Sequence, residues 1–118
     1  LPAYQLDAIR RGDAVTVAAH DTMHNPIHQD DVVASVPALL AAATTPATIV
    51  NWAGPDTVSM REYCLYLGEL TGRHVEFEEV PGFIRSRAVD TTRQRELLGA
   101  AATGWREGMR RLVDERVP

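Results

Sequence analysis

The chain has 118 residues, 45% apolar and 24% charged, which suits one compact domain and argues against wholesale disorder. A net charge of −4 without a basic patch disfavours a general nucleic-acid binder, and the longest apolar run, Val36 to Ala43, is far short of a bilayer span. All 12 basic residues are arginine, which rules out lysine Schiff bases, a Gly-Lys-Ser/Thr phosphate loop and a Tyr-x-x-x-Lys relay within this chain.

In chain order, Pro2 and Gly12 bound a predicted helix over residues 2–11, with Leu6 and Ile9 on the face of Ala3. Ala14 to Ala18 reads as a short strand, and His20-Asp21 as a turn. Met23 to His28 is a second extended piece, held so by Pro26. Asp30 and Asp31 open the next helix, where carboxylates meet orphan amides and the positive end of the dipole. Val32, Val33, Val36, Leu39, Leu40 and Ala43 recur there at helical spacing, with a kink or restart expected at Pro37. Ala47 to Trp52 reads as a short buried strand, in a parallel sheet because helices flank it. Ser59 and Glu62 form a capping box, and the helix behind them carries Met60, Tyr63, Cys64, Leu67 and Leu70 on one stripe as far as Gly72. Val75, Phe77 and Val80 alternate with Glu76 and Glu79 as a half-exposed strand, and Pro81-Gly82 turns the chain. A short helix over 91–98 ends at Gly99. A last helix, from Thr103 to Glu115, turns Trp105, Met109, Leu112 and Val113 inward. The sum is a small α/β or α+β unit spanning residues 1–118, with few short strands packed against four to six helices. That is too few strands for a complete doubly wound nucleotide fold.

Several blocks share a family likeness. His24-Asn25-Pro26-Ile27-His28-Gln29-Asp30-Asp31-Val32 resembles the Ile-His-Val-x-Asp-Val/Leu-Ala segment of extended short-chain dehydrogenase/reductases, the NAD-dependent epimerase/dehydratase family. Gln29 departs from that pattern, which usually has an apolar residue there. Val50-Asn51-Trp52-Ala53-Gly54, followed by Ser59-Met60-Arg61-Glu62, is similar to the family's hydrophobic-Asn-x-x-Gly strand and Ser-x-x-Glu helix. Asp90-Thr91-Thr92-Arg93 with Leu97-Leu98-Gly99, and Gly104-Trp105-Arg106-Glu107-Gly108, resemble its two closing elements in the same order. The glycine-rich turn and the Tyr-x-x-x-Lys pair of the family's N-terminal half do not occur here. The resemblance therefore implies the C-terminal, substrate-binding lobe of a Rossmann-type enzyme, a fragment lacking its NAD(P)-binding domain. It implies no cofactor in this chain and NAD or NADP in an intact parent.

The same resemblance implies that Arg85 or Arg87 binds a substrate diphosphate, which a guanidinium fork matches bidentately; solvated loop arginines are the other reading. Asn25 and His28 join them as substrate-binding candidates, with His28 also read as hydrogen-bonded near a helix start. Asp31 is read as a helix cap or a bond into a neighbouring loop, and Asp90 as the cap of the helix after it; Ser59 and Glu62 are structural. His20, His24 and His28 lie four apart, but Asn25-Pro26 breaks any helix through them, so no metal site is expected. Tyr63 and Cys64 lie on the buried stripe, where a thiol without cationic neighbours is inert.

The function implied is the substrate-binding part of an epimerase/dehydratase-like oxidoreductase acting on a sugar nucleotide or related hydroxyl/carbonyl substrate, inactive alone. A non-enzymatic ligand sensor on the same fold, or a freestanding small interaction domain, are the alternatives. The expected partners are the missing nucleotide-binding half, a small-molecule substrate and a second copy through exposed apolar surface, with no nucleic acid or membrane. The composition and single cysteine suit the cytoplasm.

Overall fold

A computed structural model describes all residues, 1–118. The elements run α1 (Pro2–Arg11), β1 (Val15–Val17), β2 (Met23–His24), α2 (Gln29–Ala41), β3 (Val58–Ser59), α3 (Met60–Thr71), β4 (Phe77–Glu79), α4 (Thr92–Leu98) and α5 (Trp105–Glu115). Five helices thus surround two small sheets, a small mixed α/β fold. β1 and β4 pair in parallel, with Val15 opposite Phe77 and Val17 opposite Glu79. β2 and β3 pair antiparallel, with Met23 opposite Ser59. No helix is long and apolar enough to cross a membrane.

α3 is the centre of the core. Its Met60, Tyr63, Cys64 and Leu67 are almost completely buried, against Leu6 and Ile9 of α1, Val15 and Val17 of β1, and Trp105 and Met109 of α5. Tyr66 and Trp105 meet edge to face at 5.4 Å between ring centroids, which couples α3 to α5. Buried polar atoms are paired: Tyr63 Oη donates to Gln5 Oε1 at 3.2 Å. Two of the helix ends read from glycine are left-handed caps, Gly12 with φ 78° and Gly72 with φ 64°. Gly68 has a different reason. A Cβ there would lie 2.8 Å from the Arg73 carbonyl oxygen, so the chain leaving α3 can fold back only over a glycine.

Three expectations need correction. α2 runs unbroken through Pro37. Pro37 is exposed, and the Val33 carbonyl that it leaves without a donor sits on an exposed turn where water can serve it. The cap of α2 is the ring of His28, whose Nδ1 accepts from the Asp30 N–H at 3.2 Å; neither aspartate caps it. Residues 47–52 form no strand, and Ile49 is exposed where burial was expected. The stretch is rich in β-prone residues, but β1 pairs with β4 and β2 with β3, so it joins neither sheet.

Candidate substrate-binding site

One crossing point gathers Asn25, Arg85 and Arg87, three of the four residues read from the sequence as substrate-binding candidates. The loop after β4 returns to β2, where His24 and Arg87 form a parallel bridge and the Arg87 N–H donates to the Met23 carbonyl at 2.7 Å. Ser86 Oγ accepts from the Met23 N–H at 3.0 Å, a second pin on the same loop. Asn25 closes the crossing. Its Oδ1 accepts from the Val89 N–H at 2.8 Å, and its Nδ2 donates to Thr57 Oγ1 at 2.9 Å. A side-chain amide has one carbonyl and one NH2, and both are engaged here. Asn25 therefore ties together the loops at 25, 56–57 and 87–90.

Arg85 and Arg87 project from this pinned loop, exposed, and neither guanidinium has a carboxylate partner. Exposed Arg73, Arg93 and Arg95 are likewise without a carboxylate, whereas Arg11, Arg106, Arg110 and Arg116 each hold one. His24, bridged to Arg87, is partly buried, with Nε2 3.1 Å from Thr22 Oγ1. Burial, and then the charge of Arg87, lowers its pKa below 6.5. The imidazole is neutral at pH 7, so the local charge is that of two free guanidiniums on a fixed backbone. Such a pair can accept an anion bidentately.

The remaining candidates lie apart from this point. His28 lines a cavity of about 240 Å³ between α1, the loop before α2 and α5, with its Cδ2 against Gly108. Asp31 is buried, and its two carboxylate oxygens accept the N–H groups of Ala102 and Thr103 at 3.1 and 3.0 Å. Asp90 Oδ1 accepts the Thr92 N–H at 2.9 Å at the start of α4; a bond from the Thr92 hydroxyl, and then this one, lower its pKa. Ser59 Oγ accepts the Glu62 N–H at 3.1 Å, while the Glu62 carboxylate reaches Arg106 at 3.4 Å. His20, His24 and His28 sit in a turn, a strand and a cap, and no three His, Cys, Asp or Glu side chains converge. Burial pushes the Cys64 thiol up to about 12, away from reactivity.

Sequence reasoning passed over two residues that build the frame. Gln94 is buried and bonds Ala53 twice, accepting from its N–H at 2.8 Å and donating to its carbonyl at 2.7 Å. Asp56 Oδ2 accepts the Trp105 N–H at 3.0 Å and so caps α5 from a distant loop. Neither has a local signal, because both partners are far away in sequence. His24 carries no substrate-binding signal in the sequence, because its neighbour Arg87 lies 63 residues on, out of reach of any spacing argument.

No family model matches the sequence, and no curated protein matches it. Solved structures do. MoeE5, in complex with UDP-glucuronic acid and NAD, is similar over 97% of this chain at 25% identity, with a TM-score of 0.74. The UDP-glucose 4-epimerase of Thermus thermophilus, in complex with NAD, matches over 96% at 19% identity and TM-score 0.73. The dTDP-glucose 4,6-dehydratase of Bacillus anthracis, in complex with NAD, matches over 97% at 14% identity and TM-score 0.79. The chain spans only 41%, 38% and 37% of these three chains. Its fold is that of the C-terminal part of an extended short-chain dehydrogenase/reductase of the epimerase/dehydratase family.

Proposed function

We propose that this chain is the substrate-binding part of an NAD(P)-dependent epimerase, dehydratase or reductase acting in the cytoplasm on a sugar nucleotide or a related hydroxyl/carbonyl substrate. The observation that carries this is the unpaired Arg85 and Arg87 on a loop pinned to β2, within a fold matched over 97% of its length by MoeE5. The two guanidiniums would hold a diphosphate. Asn25 and Ser86 act as positioning residues that fix the loop, and His28 acts through the start of α2. The cofactor supplies transient oxidation or reduction of the substrate from a nucleotide-binding part outside this chain, so the chain alone is catalytically silent.

Titration calorimetry with UDP tests the reading. Saturable one-to-one heat, weakened at least about tenfold in Arg85→Ala/Arg87→Ala, is the expected result. Absence of binding, or binding indifferent to both substitutions, would overturn it. The same titration with NADH is expected to give no one-to-one heat.

A further inference from the structure

The loop that carries Arg85 and Arg87 leaves one sheet and lands on the other. It starts from β4, which pairs with β1, and reaches β2, which pairs with β3, where Arg87 bridges His24. No main-chain hydrogen bond joins β1 or β4 to β2 or β3. Where the two arginines stand therefore depends on how the two sheets are held relative to each other.

One side chain spans that gap. Arg61, in the first turn of α3 directly behind β3, reaches across to the other sheet. Its Nη2 donates to Glu79 Oε1 at the end of β4, at 2.9 Å, and to the Ala18 carbonyl just past β1, at 3.0 Å. Its Nε lies 3.2 Å from Asp21 Oδ1, two residues before β2. The guanidinium also lies 5.3 Å from the centre of the Phe77 ring of β4. An exposed ion pair does little for a fold. Arg61 differs from that case: its side chain is 25% exposed, where the other ion-paired arginines are 38–63% exposed. Its planar fork meets three acceptors and a ring at once, which a lysine ammonium cannot reproduce.

We propose that Arg61 is a positioning residue for the diphosphate site: it fixes the end of β4, where the loop begins, against the approach to β2, where the loop lands, and so sets the placement of Arg85 and Arg87. The proposal rests on the substrate reading given above. With two carboxylates beside it, Arg61 does not hold the substrate; it acts through the loop.

Titration calorimetry with UDP-glucose, on the full-length protein that the gene encodes, tests this. Arg61→Met is expected to raise the dissociation constant about fivefold, and Arg61→Lys by a similar factor, since a point charge does not restore the fork. The paired substitution Asp21→Asn/Glu79→Gln, both at exposed positions, leaves Arg61 in place and is expected to reproduce most of the loss. Where Arg85 and Arg87 are already alanine, Arg61→Met is expected to weaken binding no further, because the residues it places are gone. A purely structural role would lower the melting temperature of these variants and leave the dissociation constant alone, and that result would overturn the inference. So would full rescue by Arg61→Lys, or additive losses in the Arg85→Ala/Arg87→Ala background. The exposed pair decides the matter where Arg61→Met does not fold: an unchanged dissociation constant there overturns the inference. Failure of the unsubstituted protein to bind UDP-glucose, or binding indifferent to Arg85→Ala/Arg87→Ala, would instead overturn the substrate reading, and this inference with it.

Discussion

Single residues hold this fold at points where loops cross. Asp31 accepts two main-chain N–H groups while buried, so Asp31→Ala leaves both amides without a partner. A loss of about 3 kcal/mol in urea unfolding is expected. The aspartate itself was visible in the sequence, as a cap or as a bond into a neighbouring loop; which of these it is depends on residues 71 and 72 positions away. His24 sets a pH dependence. Its folded pKa lies below 6.5, so below about pH 6.5 the unfolded chain takes up a proton that the folded chain does not. Stability therefore falls as pH drops through 6.5 and levels off only below the folded value. Urea midpoints measured between about pH 7 and pH 5 should show this slope, and His24→Gln should flatten it.

At the scale of elements, the contrast between α2 and α3 explains which features the sequence discloses. α3 carries its own start signal at Ser59, its stripe and its stop at Gly72, and all three are in place. α2 has an equally apolar stripe, yet among its residues only Asp31 is buried. A stripe records that a face is to be covered, not what covers it. The segment 47–52 shows the same limit, since an extended run becomes a strand only beside another strand. The 83–90 loop had no readable pattern because its order comes from side chains at 25 and 86 and main chain at 23. Gly54 is the tightest element contact. A Cβ there would overlap the Pro26 carbonyl oxygen, main chain against main chain. Gly54→Ala is expected to cost about 2–3 kcal/mol, read as a lowered melting temperature, and to loosen the Asn25 crossing with it.

At the scale of the whole molecule, the proposed function makes this slab of 48 × 32 × 17 Å the substrate-binding part of a longer enzyme. The four sequence blocks resemble the epimerase/dehydratase family in its order, and the solved structures that match this chain extend well beyond what it covers. Determining the coding sequence upstream of Leu1 tests that account most directly. The expected result is an open frame that encodes a glycine-rich strand-to-helix turn and a Tyr-x-x-x-Lys pair. A start codon immediately before Leu1, or an upstream frame without either motif, would contradict it.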